Sequence, residues 1–283
     1  MRIAITGATG LIGKAFIEKY SNNFELVAIS RKPEQENCIY SDFSFNSLCH
    51  IFENVDALIH LAGERLHKLE SLETTSDLDE IVLLAAKNAG LQNIVLASSR
   101  GVYGKNKSPW HESTNVSPTN FYSLKKAQTE LLCNYLNNSH GLKIKCLRIA
   151  QVLSENEYEG SMIRVFLDSA VKAENLHVTV SGITREYIYI LDLVDAIYTA
   201  VKHDSEYGIY NVGTGVGVNI EEIATIISKT FDNGCKVIVN DNLTEVSENS
   251  VMAVNLFRQT FDWSPAFTFE TAIKDIEGKI SGV

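Results

Sequence analysis

The chain has 283 residues, 45% of them hydrophobic, so it can bury a sizeable core as one large domain or two closely joined ones. Its 25 basic and 35 acidic residues give a net charge of −10, and no basic stripe offsets it, which argues against a nucleic-acid partner. The five cysteines lack CxxC or metal-ligand spacing, so we expect reduced thiols and no metal site.

The predicted elements begin with a strand, a glycine turn and a helix in MRIAITGATGLIGKAFIEKY, followed by a second strand in FELVAIS. Strands at ALIHLAG, NIVLASS and IKCLRIA then alternate with helical patterns at LDEIVLLAAKNAG and FYSLKKAQTELLCNYL. This alternation predicts an α/β fold with a doubly wound parallel sheet, Rossmann-like, with helices on both faces. The first strand starts at Arg2 and no apolar run approaches the ~20 residues of a membrane span, so we expect a cytoplasmic protein without membrane association.

The alternation loosens from about Leu153 onward. Helical patterns occur at SMIRVFLDSAVKA, LDLVDAIYTAVKH, NIEEIATIISKTF and FETAIKDIEG, and extended ones at HVTVSGITREYIYI, IYNVGTG and KVIVN. We therefore expect a first domain of residues 1–152, to which segments near 186–215 return, and a smaller C-terminal lobe of residues 153–185 and 216–283.

The glycine turn has the spacing GxxGxxG between the first strand and the first helix. Glycine permits the tight turn and a close approach of backbone N–H groups to a pyrophosphate, and the helix N-terminus favours the anion. The alternative is a glycine turn that binds nothing, which its place in an N-terminal βαβ unit disfavours. The candidate cofactor residues here are Gly7, Thr9, Gly10, Leu11, Ile12 and Gly13.

The end of the second strand bears on the choice between NAD and NADP. An acidic residue there would bind the ribose 2′-hydroxyl, whereas this strand runs into Ser30, Arg31 and Lys32. A hydroxyl and two cations favour a 2′-phosphate, so we expect NADP(H), with NAD(H) and a merely solvated Arg-Lys pair as the alternatives. Asp42 and Phe43, after the next apolar stretch, are candidates to meet the adenine.

Tyr122 and Lys126 form a YxxxK pair on one face of a predicted helix. A tyrosine hydroxyl ordinarily has a pKa near 10, and a neighbouring ammonium group stabilises the phenolate and makes the group an acid–base catalyst at neutral pH. A strand that ends in Ser98-Ser99 adds a hydroxyl that can hydrogen-bond a substrate oxygen. Together with the glycine turn, these residues indicate hydride chemistry at a carbonyl.

The chain resembles the extended short-chain dehydrogenase/reductase family, in its branch of nucleotide-sugar epimerases, dehydratases and keto-reductases. The matching pieces, in family order, are TGATGLIG, HLAG, SSRGVYG, YSLKK, LRIAQV, REYIYILDLVDA, YNVGTG and FDWSPAF. The resemblance implies that the first domain binds the dinucleotide, that the C-terminal lobe binds a nucleotide-sugar, and that the protein is a homodimer.

Carried over position by position, the resemblance makes Ser99 the catalytic Ser/Thr, Tyr122 the acid/base and Lys126 its lysine, which also holds the nicotinamide ribose. It makes Arg185 the arginine that contacts the substrate diphosphate, with Gln151 in place of a nearby asparagine. It gives His60 a structural role in a buried turn beside the cofactor. The HLAG piece supplies the cofactor residues Leu61, Ala62 and Gly63, the last of which is usually alanine.

Arg100 and Gly101 depart from the pattern at two informative positions. The family's 4,6-dehydratases carry Asp-Glu there for water elimination, and its 3,5-epimerase/4-reductases carry a cysteine directly after the serine. Neither Arg100 nor Gly101 can perform that proton transfer, so both are assigned to substrate binding. Further departures are Thr75, which replaces the usual asparagine, and the lack of the C-terminal arginine that grips a UDP-sugar, which leaves the nucleotide open.

Two reactions need only the serine, the tyrosine, the lysine and a nicotinamide. The first is NADPH-dependent reduction of a nucleotide-linked 4-keto-6-deoxy sugar, which the Ser-Arg-Lys segment favours. The second is 4-epimerisation with tightly bound NAD. A third interpretation, a non-catalytic NADP-binding sensor, leaves the intact Ser, Tyr and Lys set without a purpose.

Overall fold

The computed structural model describes residues 1–63, 78–158 and 160–282. Short apolar runs form the strands, and the four at Arg2–Thr6, Ala57–His60, Asn93–Ser99 and Lys143–Ile149 are buried almost throughout, as expected for a sheet covered on both faces. The strands are β1 (Arg2–Thr6), β2 (Glu25–Ser30), β3 (Ile39–Tyr40), β4 (Ala57–His60), β5 (Asn93–Ser99), β6 (Lys143–Ile149), β7 (Gln151–Leu153), β8 (Leu176–Tyr189), β9 (Gly208–Val212), β10 (Gly217–Asn219) and β11 (Val237–Ser250).

Helices connect these strands. They are α1 (Leu11–Tyr20), α2 (Phe45–Phe52), α3 (Leu78–Asn88), α4 (Phe121–His140), α5 (Met162–Val171), α6 (Ile190–Lys202), α7 (Ile220–Phe231), α8 (Asn255–Phe261) and α9 (Phe269–Ser281). None of the described helices is both long enough and apolar enough to cross a membrane.

Seven strands form one parallel sheet in the order β3-β2-β1-β4-β5-β6-β9. The strand order reverses direction between β1 and β4, and this switch point is where doubly wound sheets bind ligands, beyond the carboxyl ends of the strands. The predicted Rossmann-like α/β fold is therefore confirmed.

A second, smaller sheet has the order β10-β8-β11, with β7 also paired to β8. Its core includes Ile163, Val178, Ile223 and Ile273, from α5, β8, α7 and α9. The division at residue 152 stays a prediction. Within the segment 216–283, Phe257 of α8 packs in the core of the large sheet instead of the small one.

The sequence patterns located most elements but missed two short helices. The α2 helix begins after Ser44, whose side chain accepts a hydrogen bond from the Ser47 N–H, and α8 spans only seven residues. The polar stretch after KVIVN, which carried no predicted structure, continues β11 as far as Ser250. Pairing with β8 holds it extended across two register shifts.

Candidate functional site

The glycine turn packs directly against the end of β4. Gly7 has a φ of +72°, and a Cβ there would lie 2.6 Å from the Ala62 nitrogen. A Cβ on Gly13 would lie 2.3 Å from the Gly7 oxygen, so both positions exclude larger residues. The carbonyl carbon of Leu61 would likewise lie 2.7 Å from a Gly7 Cβ, so Leu61 lies beside the glycine turn, and its contact with the cofactor stays a prediction.

The N-terminus of α1 is capped by Gly10 without a side-chain hydrogen bond. The amide groups of its first turn, which includes Leu11 and Ile12, are thus left for another acceptor, while Thr9 and Gly10 are exposed beside it. Backbone N–H groups and the helix dipole at one point fit the pyrophosphate of a dinucleotide.

The end of β2 lies beside the end of β1, where the glycine turn begins. The Ser30 hydroxyl is buried and accepts a hydrogen bond from the Lys32 N–H at 3.0 Å, whereas the Arg31 and Lys32 side chains are exposed. Asp42 is exposed, and its hydrogen bonds from Ser44 lower the pKa of its carboxyl. The Phe43 side chain packs in the core, so its proposed contact with adenine stays a prediction.

The two serines at the end of β5 have different partners. Ser98 donates to Glu130 Oε1 at 2.5 Å, and Glu130 forms a buried ion pair with Arg148 at 2.7 Å. The Ser99 hydroxyl accepts a hydrogen bond from the Gly101 N–H at 3.1 Å and is only partly buried. Ser98 is therefore committed to a structural network, and Ser99 is the serine left for a ligand.

A 3₁₀ turn, Arg100–Tyr103, follows Ser99 and brings it against the start of α4. A Cβ on Gly101 would lie 3.3 Å from Ser99 Oγ and 3.4 Å from Ser123 Cβ, so glycine allows this close packing. Asn120 and Ser123 form a capping box that fixes the first turn of α4, where Tyr122 lies half-buried.

Lys126 is buried one helical turn beyond Tyr122, and a Cβ on Gly63 would lie 3.5 Å from its Nζ. The end of β4, the start of α4 and the Ser99 turn thus meet at one place, which brings Gly63 and Lys126 to the side of the turn. The catalytic and cofactor roles of these residues remain predictions.

Asp79, in the first turn of α3, is a member of this cluster that the sequence did not indicate. Its carboxylate lies 3.1 Å from Lys126 Nζ, 3.0 Å from His60 Nε2 and 2.8 Å from Thr129 Oγ1. Burial acts to raise the pKa of the Asp79 carboxyl, but Lys126 and His60 outweigh it and hold that pKa well below its ordinary value. An acidic residue near a helix N-terminus usually indicates only a favourable interaction with the helix dipole. The sequence therefore offered no reason to expect that Asp79 pairs with Lys126 and His60.

Arg100 and Arg185 form a second cluster, at the side of the small sheet. Arg100 donates to Gln151 Oε1 at 3.2 Å, and Arg185 pairs with Glu248 at 3.3 Å. Burial, and then the positive charge of Arg185, lower the pKa of Arg100. Two neighbouring guanidinium groups fit an anionic ligand.

Tyr187 adds a polar atom to this second cluster. Its hydroxyl and Arg185 Nε are buried and make no hydrogen bond of ordinary geometry within the described residues. Burial raises the pKa of Tyr187 to about 12, so its hydroxyl stays protonated and available as a donor near neutral pH. Both atoms suit a ligand with several acceptor oxygens.

No group of three metal-ligating side chains occurs among the residues that the structure describes. Thr75, singled out in the sequence, lies outside them.

Comparison with known proteins identifies the family. The model of the "NAD dependent epimerase/dehydratase family" matches residues 3–213. This span contains the glycine turn, Ser99, Tyr122 and Lys126. The chain belongs to this family. The NAD-dependent epimerase/dehydratase family fits the resemblance seen in the sequence, and the chain is a nucleotide-sugar-modifying enzyme of the epimerase and reductase type.

The similar proteins include both reaction types. The chain is 24% identical to the dTDP-4-dehydro-6-deoxyglucose reductase of Escherichia coli, over 96% of this chain and 95% of that protein. The crystal structure of UDP-N-acetylglucosamine 4-epimerase from Bacillus cereus superposes with a TM-score of 0.88 and 28% sequence identity. The match covers 100% of this chain and 97% of that one. The chain also shares the fold of Thermus thermophilus UDP-glucose 4-epimerase in complex with NAD, at 21% identity and a TM-score of 0.80, covering 100% of both chains.

Proposed function

We propose that this enzyme reduces the keto group of a nucleotide-linked 4-keto-6-deoxy sugar with NADPH. The observation that carries the proposal is the cluster of Ser99, Lys126 and the α4 turn of Tyr122, followed directly by Arg100 and Gly101. This cluster has the groups needed for hydride chemistry at a carbonyl and lacks, at positions 100 and 101, an acid or base for elimination.

The side chains have separate tasks in the proposed reaction. NADPH, when bound along the glycine turn, supplies the hydride to the carbonyl carbon. Tyr122 donates its hydroxyl proton to the carbonyl oxygen, so that a hydride and a proton together yield the alcohol. Ser99 donates a hydrogen bond to the same oxygen, and the charge of Lys126 stabilises the phenolate that Tyr122 becomes.

The anionic end of the substrate would lie against the second cluster. Arg100 and Arg185 provide charge-assisted hydrogen bonds to a diphosphate, and Gln151 orients Arg100 through its side-chain oxygen. The Tyr187 hydroxyl, which has no hydrogen-bond partner of ordinary geometry among the described residues, gives this subsite one further donor.

Two observations favour NADPH-dependent reduction. Arg31 and Lys32 are exposed directly after β2, and this strand ends without the acidic residue that would bind a ribose 2′-hydroxyl. The similarity to a 4-dehydro-6-deoxy sugar reductase covers nearly the whole of both proteins.

Nucleotide-sugar 4-epimerisation is the second candidate, favoured by the similarity to the Bacillus cereus epimerase. It would use the same serine, tyrosine and lysine, with an NAD molecule that stays bound through the cycle.

A single assay separates the two functions. Purified enzyme is mixed with NADPH and a panel of nucleotide-linked 4-keto-6-deoxy sugars, and absorbance at the NADPH maximum is followed. We expect NADPH oxidation with at least one of them. Absence of oxidation with every member, together with NAD that co-purifies with the protein and interconversion of 4-epimeric nucleotide-sugars, would instead establish the epimerase.

A further inference from the structure

Asp79 joins the predicted catalytic helix to the end of β4. Its Oδ2 lies 3.1 Å from Lys126 Nζ and 2.8 Å from Thr129 Oγ1, and its Oδ1 lies 3.0 Å from His60 Nε2. One carboxylate therefore accepts hydrogen bonds from two residues of α4 and one of β4.

The chain of hydrogen bonds continues from His60 to the strand that precedes the glycine turn. Thr6 Oγ1 lies 2.5 Å from His60 Nδ1, and the Ala62 N–H donates to the same oxygen at 3.4 Å. Asp79 only accepts, so His60 donates from Nε2, and the contact between His60 Nδ1 and Thr6 Oγ1 fixes the orientation of the ring.

Lys126 needs the negative charge of Asp79 because its surroundings are poorly solvated. Its side chain is only 7% exposed, and burial disfavours the ammonium form. Among the described residues, the charged and titratable groups that act on it are Asp79 from α3, Tyr122 from its own helix and Cys146 from β6. Burial acts to lower the pKa of Lys126, yet Asp79, followed by Tyr122, raises it above the ordinary lysine value.

We propose that Asp79 is a positioning residue that keeps Lys126 charged and directed to the site of Tyr122, with His60 and Thr129 fixing its carboxylate. This inference rests on the proposed function only in taking Lys126 as the catalytic lysine. An uncharged lysine cannot stabilise the phenolate of Tyr122, so Asp79 would set the upper pH limit of activity.

Asp79→Asn tests the inference because the amide keeps the size of the side chain and removes its charge. The first readout is the lysine Cε signal in ¹³C NMR of labelled protein, in which Lys126 is assigned through its loss in Lys126→Arg. We expect the Lys126 signal of Asp79→Asn to titrate at least about one pH unit below that of the wild type. Equal titration of both proteins would overturn the proposal.

The second readout is the pH profile of kcat/KM for ketone reduction. The alkaline limb of Asp79→Asn should move to lower pH by the same interval, so that the loss of activity relative to the wild type approaches about tenfold at pH values above both limbs. Glu80→Gln is the matched control, since it neutralises an exposed carboxylate in the same turn of α3, and its alkaline limb should stay in place. A uniform fall of activity in Asp79→Asn with an unmoved limb would show that Asp79 is merely structural.

The wild type alone also bears on the inference if Asp79→Asn fails to fold, as judged by circular dichroism. A buried lysine without a compensating charge would titrate below the ordinary value near 10.4. Titration of wild-type Lys126 below that value would contradict the role of Asp79. Because NMR needs no substrate, a failure of the proposed reduction with normal titration behaviour would count against the reaction and not against Asp79.

Discussion

The Arg100 guanidinium donates a hydrogen bond to the side-chain oxygen of Gln151, 3.2 Å away, and so joins the turn after β5 to the start of β7. This contact connects the serine turn of the large sheet to the small sheet. Arg100 immediately follows Ser99, so in the proposed reaction one turn would bind the substrate carbonyl oxygen through Ser99 and the diphosphate through Arg100.

Replacing Arg100 by methionine should therefore weaken substrate binding more than chemistry. Loss of a charge-assisted hydrogen bond of about 1.5–3 kcal/mol predicts a rise in KM of roughly 10- to 100-fold for the nucleotide-sugar. The KM for NADPH should change little, since Arg100 lies with Arg185 and not at the glycine turn. Steady-state kinetics with each substrate varied in turn provide the measurement, and Arg100→Lys, which keeps the charge, should recover part of the loss.

Tyr122→Phe should abolish turnover and preserve the fold. Removing the proton donor predicts a fall in kcat of at least about 100-fold, because general acid catalysis contributes that much. NADPH binding, followed by fluorescence titration, should stay within about twofold if the phenol adds no more than one weak hydrogen bond to the cofactor. Retention of wild-type turnover would rule out Tyr122 as the acid.

Arg31→Ala tests the cofactor preference. Loss of a contact to the 2′-phosphate should raise the dissociation constant for NADPH by about tenfold and leave that for NADH unchanged. Lys229→Ala, an exposed charge change on α7, is the matched control and should alter neither. An equal effect of Arg31→Ala on both cofactors would reject the 2′-phosphate contact.

We expect Lys145, near the start of β6, to make the free energy of unfolding depend on pH. Its buried ammonium group hydrogen-bonds Asn93 Oδ1 at 2.7 Å and the His203 carbonyl at 2.8 Å, and burial lowers its pKa to about 8. Between pH 8 and 10.5 the unfolded chain binds more protons at this site than the folded one, so stability rises with pH.

The matching experiment is chemical denaturation of the wild type and Lys145→Met between pH 7 and 10.5. The free energy of unfolding of the wild type should gain up to about 3 kcal/mol on that of the variant across this range. Lys143→Met, on the same strand, should show no such change relative to the wild type. A pH-independent difference between wild type and Lys145→Met would contradict the lowered pKa.

The predicted homodimer would form through the outer face of α4. Leu124, Leu131 and Tyr135 recur at helical spacing and are 41%, 68% and 56% exposed, so they form an apolar stripe on the surface of the chain. Leu132 and Leu136 of the same helix pack in the core and are not part of this exposed stripe.

Leu131→Arg should convert the proposed dimer to a monomer, because a charge would be buried at its centre. Light scattering after size-exclusion chromatography measures the mass, and Leu256→Arg, at an exposed leucine of α8, should leave it unchanged. A wild-type protein that is already monomeric would refute the dimer.

Most of the fold could be predicted because its patterns are local. Apolar runs of four to seven residues located the buried strands of the large sheet, and 3.6-residue periodicity located helices such as α4 and α7. The short helix α8 escaped because seven residues contain too few turns for a clear periodicity. The end of β11 escaped because its polar residues are held extended by β8 and not by a preference of their own.

The features of the candidate site likewise divide into those that the local sequence sets and those that depend on tertiary contacts. The sequence by itself determined the glycine turn and the spacing of Tyr122 and Lys126, since each depends on residues a few positions apart whose relation the backbone imposes. Only the tertiary structure decided the partners of three side chains. Ser98 donates a hydrogen bond to Glu130, Arg100 donates one to Gln151, and Asp79 pairs with Lys126. Asp79 and Lys126 are 47 positions apart in the sequence. Two buried charges so far apart along the chain can pair only because the folded sheet and its helices bring them to the same edge.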